Sequence, residues 1–227
     1  MKPRISIVIP AYNEEKRIES CLIQLRMQKF DSYEIIVVDN NSTDKTREIA
    51  QKYADVIINE KIRGCSSARQ KGFKFASAEI IATTDADTIV DLMWLDRIFT
   101  VFKSNPNAIA IYGPVKYIGR GRTVDAAFSF FTYYFMKMHQ LLGCPYLFGC
   151  NFAITKDLFY KTGGFNVNMS TASDLDFSLR IKKQGPIVFD KLLIVESSAR
   201  NLGFNYNMTR YISMLLFRKS MARRDVR

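Results

Sequence analysis

From Ile5 to Lys103 the chain alternates short apolar runs with stretches whose apolar residues recur at helical spacing. This alternation constrains the fold more than any other feature of the sequence. Ile5–Pro10, Glu34–Asp39, Val56–Ile58 and Glu79–Asp85 read as strands. Glu14–Gln28, a stretch to about Tyr53, Ser66–Ala76 and Leu92–Lys103 read as the intervening helices, the second opened by the capping-rich turn Asn40-Asn41-Ser42-Thr43-Asp44. Strands apolar on both faces and separated by helices predict an α/β fold, with a mostly parallel central sheet flanked by helices.

The second half has a different grain. Ile109–Ile118 reads as one long strand containing Gly113-Pro114, followed by the basic turn Gly119-Arg120-Gly121-Arg122. An aromatic helix is expected over Thr123–Leu142, with Phe128, Phe131, Phe135, Met138 and Leu142 on one stripe. Gly149–Thr155 reads as a strand, and Lys156–Thr162 and Ser173–Lys183 as helices. Phe204–Ser220 is expected to form a last amphipathic helix with a basic tail. No repeat or linker interrupts the chain. The expectation is one domain over 1–227, with a nucleotide half (1–108), an acceptor half (109–200) and a basic C-terminal helix and tail (201–227).

The 227 residues are 48% hydrophobic and 24% charged, a globular composition that excludes a disordered chain. Lys+Arg is 33 and Asp+Glu 22, a formal charge of +11, which asks for an anionic partner. Four scattered cysteines and one histidine, His139, offer no zinc ligand set, and a reduced compartment follows from them. The Met-Lys-Pro-Arg start runs straight into a strand and resembles no export signal. Ala126–Met136 is the longest approach to a spanning segment and is too short. A cytoplasmic protein, peripheral on the inner face of the membrane, is the expectation.

Acidic groups fall at the carboxyl ends of predicted strands, where open α/β sheets bind ligands. One strand delivers Asp39 and another Asp85-Ala86-Asp87. Two carboxylates one residue apart can share a hard divalent cation, which can bridge phosphates and neutralise a departing diphosphate.

Four blocks occur in order: Val8-Ile9-Pro10-Ala11-Tyr12-Asn13-Glu14-Glu15, Val37-Val38-Asp39-Asn40-Asn41-Ser42-Thr43-Asp44, Gly64 to Gly72 with Ala68-Arg69, and Thr84-Asp85-Ala86-Asp87. Together they resemble family 2 glycosyltransferases, which have the GT-A fold, over about Ile5 to Arg200. The resemblance implies inverting transfer of a sugar from a UDP- or GDP-linked donor, assisted by Mn²⁺ or Mg²⁺. It implies a nucleotide site of Pro10, Ala11, Tyr12, Glu14, Asp39, Arg69, Asp85 and Ala86. Tyr12 would pack near the base or ribose, Asp39 would accept from a base edge, and Arg69 would lie near the nucleotide. Asp87 would be the principal metal ligand, with Asp85 beside it.

An inverting transfer also needs a base for the acceptor hydroxyl. In the family this is the Asp of a Glu-Asp pair opening a helix. Here the block reads Ser173-Asp174-Leu175-Asp176-Phe177-Ser178-Leu179-Arg180, with Ser173 where Glu is usual. Asp174 is the expected base and Asp176 its rival. Gly149-Cys150-Asn151-Phe152-Ala153-Ile154 and Gly163-Gly164-Phe165 resemble the acceptor-side segment. The family's late His is absent, Glu196-Ser197-Ser198-Ala199-Arg200 occupying that region. The Gln-x-x-Arg-Trp block of processive synthases is missing too, so single addition is expected.

Arg218, Lys219, Arg223, Arg224 and Arg227 concentrate positive charge at the end of the chain, beside an apolar stripe. A basic amphipathic helix suits an anionic membrane surface, and with it a polyprenyl-phosphate-type acceptor as well as a saccharide. Nucleic acid is not expected as partner, since no base-reading motif is present. The alternatives are a nucleotidyltransferase-like enzyme, whose Gly-rich basic loop after the first strand is missing, and a basic binding module without catalysis.

Overall fold

The computed structural model describes residues 2–169 and 173–201. The predicted C-terminal helix therefore lies outside the described residues. The elements, in chain order, are β1 (Ile5–Ala11), α1 (Ile18–Arg26), β2 (Tyr33–Asp39), α2 (Thr46–Ala50), β3 (Val56–Asn59), α3 (Cys65–Phe75), β4 (Ile80–Thr83), β5 (Thr88–Val90), α4 (Trp94–Ser104), β6 (Ala110–Tyr112), β7 (Val115–Ile118), α5 (Arg122–Leu141), β8 (Phe152–Thr155), α6 (Lys156–Lys161), α7 (Ser173–Ile181), β9 (Ile187–Phe189) and β10 (Val195–Ser198).

A seven-stranded sheet runs in the order β3-β2-β1-β4-β8-β6-β9. Its strands are parallel except at β8, which runs against both β4 and β6. The mostly parallel sheet is as expected from the apolar runs. β1 is buried along its whole length, because helices cover both faces. Its one polar residue is accounted for: Ser6 donates to Glu34 (2.5 Å) and accepts from the Ala78 amide (3.0 Å). Two apolar clusters fill the spaces on either side of the sheet, one around Ile7, Leu22 and Trp94, the other around Val8, Phe73 and Phe152.

The sequence from Ile109 to Ile118 is two strands in two sheets, not one. β6 pairs with β8 in the large sheet, whereas β7 joins β5 and β10 in a three-stranded sheet. The break falls at Gly113-Pro114. A Cβ on Gly113 would lie 1.9 Å from the Leu193 carbonyl oxygen, so only glycine lets the chains pass. Pro114 has no amide to give a ladder. Buried Asn151 ties the crossing together, donating to the carbonyls of Pro114 (3.0 Å) and Leu193 (2.7 Å) and accepting from the Trp94 indole (3.0 Å).

The aromatic helix α5 also differs from expectation. Phe128 and Phe135 pack partly inward, but Phe131, Met138 and Leu142 of the predicted stripe are exposed. The buried face carries Thr132, Met136 and His139 instead.

Around β1 the strand order reverses: β2 and β3 lie on one side and β4 on the other. Such a switch point opens a crevice at the carboxyl ends of the strands. The loops there are laced together. Asn13 accepts from the Thr43 amide (2.8 Å), and the Asn13 amide donates to Ser42 (3.1 Å). Asn13 and Asn41 sit at φ 53° and 66°, a left-handed backbone that asparagine tolerates better than most residues. The Glu14 amide donates to Thr46 and the Glu15 amide to Asp44. These bonds hold 14–17 as a turn, which is why α1 starts at Ile18 rather than at Glu14.

Candidate active site

Three strand ends and two later segments converge on the crevice. β1 ends at Pro10 and Ala11, both buried, and Ala11 accepts from the Asn40 amide (2.8 Å). Tyr12 follows, partly exposed, with the Arg63 guanidinium 4.9 Å from its ring centre and donating to its hydroxyl (2.9 Å). β2 ends at Asp39, whose carboxylate accepts from the Ser42 amide (3.0 Å) and lies 3.8 Å from Arg47. Neighbouring Asn40 is buried and pins the 60–64 loop, donating to the Glu60 and Ile62 carbonyls and accepting from the Gly64 amide. That loop carries Arg63, so Asn40 fixes the segment that stacks on Tyr12.

The turn after β4 presents Asp85, buried Ala86 and Asp87. Arg69, buried on α3, binds two carboxylates at once. Its Nη2 donates to Asp85 (2.5 Å) and its Nη1 to Asp174 (3.1 Å) at the start of α7. Planar guanidinium geometry suits such a two-way bridge. Asp174 also accepts from the Gly149 amide (3.0 Å) and from Ser173 (3.4 Å). A Cβ on Gly149 would come within 2.2 Å of the Arg69 guanidinium, so the glycine makes room for the bridge. Burial pushes the Asp174 carboxyl above its ordinary value, as does the charge of Asp85; Arg69 and the two hydrogen-bond donors oppose the shift. A carboxylate raised in this way is suited to taking a proton.

Asp176 is placed elsewhere. It pairs with Arg180 one turn along α7 (2.9 Å), and Arg180 in turn donates to the carbonyls of Thr162 and Gly164. Gly163 and Gly164 both have positive φ, 74° and 70°, so the turn itself accounts for the glycine pair.

Glu14 and Asp87 complete the crevice with a cation between them. Arg200, just past β10, bonds through Nη2 to Glu14 and through Nε to Asp87 (3.2 Å). It stands in the Glu196–Arg200 segment, which lacks a His, and only the tertiary fold puts it beside Glu14, 186 positions away. Asp87 is pushed up to about 6, first by burial and then by the charges of Asp85 and Glu14, with Arg200 opposing. The Glu14 Oε2 atom is buried with no hydrogen-bond partner, the Arg17 guanidinium lying 3.9 Å away. Crowded hard oxygen donors, one of them without a hydrogen bond, fit a divalent cation. Among the described residues no group of three or more His, Cys, Asp or Glu is arranged to hold a metal alone. Asp87 and Asp85 could hold one with the remaining positions filled by a ligand's oxygens.

The sequence-predicted residues thus fall into two groups. Glu14, Arg69, Asp85, Asp87 and Asp174 are joined by direct contacts or mutual charge effects. Pro10, Ala11, Tyr12 and Asp39 line the adjoining end of β1 and β2. Arg63, Gly149 and Arg200 add to them. No local pattern marks Arg63, whereas Gly149 and Arg200 stand in segments already singled out for their resemblance or their departure from it.

A profile described as "Glycosyl transferase family 2" matches residues 6–163 of this chain. The matched segment includes the strand-end blocks and stops short of Asp174 and Arg200. Glycosyltransferase AglE of Haloferax volcanii is 35% identical over 103 residues, 42% of this chain and 34% of that protein. The glucosyl-dolichyl phosphate glucuronosyltransferase of the same organism is 26% identical over 191 residues, 75% of this chain and 58% of that protein. The chain therefore spans only 34% to 58% of the length of these two relatives. Among solved structures, S. aureus TarS in complex with UDP-GlcNAc superposes with a TM-score of 0.74 at 20% identity, covering 89% of this chain and 60% of that one. Mannosyltransferase PcManGT from Pyrobaculum calidifontis, in complex with GDP-Man and Mn²⁺, gives a TM-score of 0.73 at 21% identity, covering 98% of this chain and 66% of that one. These likenesses establish the GT-A fold. With a family profile matched over more than half its length, the chain belongs to glycosyl transferase family 2.

Proposed function

We propose that the chain catalyses inverting, non-processive transfer of a sugar from a nucleoside-diphosphate donor to an acceptor hydroxyl or lipid-linked phosphate. The observation that carries this reading is the Arg69 bridge, which sets a half-buried carboxylate, Asp174, across from the strand-end acids Asp85 and Asp87. Two carboxylates at a switch point suit the diphosphate side of a donor, and a third, raised in pKa, suits the acceptor side.

In this reading Tyr12 and Arg63 receive the base, and Asp39 accepts from a base N–H. The acceptor O–H gives its proton to Asp174 while its oxygen attacks the anomeric carbon from the face opposite the diphosphate. The new C–O bond forms as the bond to the diphosphate oxygen breaks, and the electron pair leaves with the nucleoside diphosphate. Asp87, with Asp85, would hold Mn²⁺ or Mg²⁺, which when bound supplies charge neutralisation for that leaving group. Arg200, now on Glu14 and Asp87, would turn toward the same phosphates.

UDP and GDP donors are both compatible with the site, and neighbours of the same fold bind UDP-GlcNAc and GDP-Man. A relative named for glucosyl-dolichyl phosphate supports a polyprenyl-phosphate-type acceptor, taken at the cytoplasmic face of an anionic membrane. A thermal-shift screen of nucleotide sugars with Mn²⁺ or Mg²⁺ tests the proposal, because a bound donor raises the melting temperature by mass action. At least one donor should stabilise the protein only when the metal is present, and Asp87→Ala should remove that dependence. No shift with any nucleotide sugar in either metal would overturn it.

A further inference from the structure

From Phe130 to Leu142 the face of α5 turned away from the core is apolar without interruption. Phe130, Phe131, Tyr134, Met138, Leu141 and Leu142 are each between 50% and 86% exposed. At 3.6 residues per turn they fall within an arc of about 120°, and no charged residue lies in it. The charges of this region flank the stripe. Arg120 and Arg122 stand at its N-terminal end, and Lys137 lies just beyond one edge, its ammonium 5.4 Å from the Phe189 ring centre. An apolar stripe of this size on a surface marks a docking site.

We infer that this stripe is a membrane-inserting face, laid in the plane of an anionic bilayer. The inference rests on the proposed glycosyl transfer only for its purpose. Three observations select lipid over another occupant. Aromatic and aliphatic side chains bordered by Arg and Lys are the pattern that settles at the headgroup boundary, where long cationic side chains reach back to phosphates. The chain's charge of +11 complements an anionic surface. No helix among the described residues is long and apolar enough to cross a bilayer, and α5 is cored on its other side by Thr132, Met136 and His139, so it lies flat rather than spanning.

The stripe also leads directly to the site. After Leu142 the chain turns at Gly143, where the Cys144 amide bonds the His139 carbonyl and the His139 ring contacts the Cys144 carbonyl. Tyr146 and Phe148 then pack edge-on against Phe135, and the next residue is Gly149, whose amide holds Asp174. A bilayer under α5 therefore stands on the acceptor side, where it would deliver a lipid-linked acceptor toward Asp174.

Because the stripe carries no charge, its contribution to binding should survive salt that screens Lys and Arg. The test is co-sedimentation with vesicles of phosphatidylcholine alone and with about 30% phosphatidylglycerol, at low salt and in about 0.5 M NaCl. Wild type should bind the anionic vesicles more tightly and keep measurable binding at high salt. The triple variant Phe130→Gln, Tyr134→Gln, Leu141→Gln should lose about tenfold or more of the high-salt partitioning, with its melting temperature and donor binding unchanged. Leu141→Trp should add a fluorescence that shifts to the blue with vesicles, since Trp94, the only native tryptophan, is buried. Equal binding by wild type and triple variant at high salt would overturn the inference. So would a melting temperature several degrees lower in the triple variant, which would mean that the chain itself covers the stripe. A wild-type dimer that the substitutions dissociate would overturn it in favour of a second copy. Donor binding is read separately, so its absence would sink the glycosyltransferase reading without touching the vesicle result.

Discussion

Arg69 on α3 and Asp174 on α7, 105 positions apart in the chain, are joined by a 3.1 Å bond from Nη1 to Oδ1. The same guanidinium holds Asp85, so one buried cation sets the spacing between the two acidic sides of the crevice.

Asp174→Asn should leave donor-induced stabilisation intact and lower kcat by about 10²–10⁴-fold, the usual worth of a positioned base. The wild-type rate should also report the raised pKa. The working form is the carboxylate, so kcat/KM should fall as pH drops through a value above the ordinary Asp range, because burial lifts that carboxyl. A pH profile and single-turnover kinetics check both points; unchanged turnover would remove Asp174 from the role.

Gly149→Ala tests the bridge without touching a charge. Its Cβ would meet the Arg69 guanidinium, which is itself buried and bonded to a carboxylate on each side, with little room to retreat. Turnover should drop by about 10–100-fold, on the scale of an ångström of misplacement, while the protein still folds. Measuring kcat alongside a melting curve separates the two effects.

Arg200→Ala should weaken binding of the nucleoside diphosphate with metal present, by about 1.5–3 kcal/mol if the charged hydrogen bond to phosphate forms. Metal binding without nucleotide should not weaken, because the arginine leaves Asp87 and Glu14 free of a competing cation. Titration calorimetry with Mn²⁺ alone and with the diphosphate decides it.

Asn151→Ala removes three hydrogen bonds in the core and strands the Trp94 indole and the Leu193 carbonyl, while the Pro114 carbonyl keeps the Val195 amide (3.3 Å). At about 1–3 kcal/mol for each buried group left unpaired, a loss of roughly 3 kcal/mol or more is expected in chemical denaturation.

Asp190 supplies an acid-sensitive part of the stability. Burial alone would raise its carboxyl, but the Arg97 fork and the Leu192 amide overcome that and hold it below the ordinary value. A depressed carboxyl stabilises above the unfolded pKa and loses that contribution as pH falls through the folded one. Wild type should therefore lose stability below about pH 4, and Asp190→Asn should flatten that loss. Urea midpoints across the acid range measure it.

The order of elements through α4, apart from the short β5, follows from the sequence alone, because burial on both faces of a parallel sheet leaves a local mark, runs such as Ile35-Ile36-Val37-Val38. Asp39, Asp85 and Asp87 could be placed at strand ends for the same reason. What lay beyond local pattern was decided by contacts between distant segments. Ile109–Ile118 carries a β pattern on both sides of Gly113-Pro114, yet that the chain changes sheets there is decided by Leu193, whose carbonyl lies against Gly113. The apolar stripe of α5 was visible, but which of its residues face the core depends on β7 and the Tyr146–Phe148 segment packing against the helix. Arg69 is legible in the sequence only as a charge near the nucleotide until the fold brings Asp85 and Asp174 to its two ends, and the Arg200 segment shows only a missing His until β10 carries it to Asp87. Apolar periodicity is written residue by residue, because burial acts on each side chain. The partner of a buried charge is fixed only when the whole chain has closed around it.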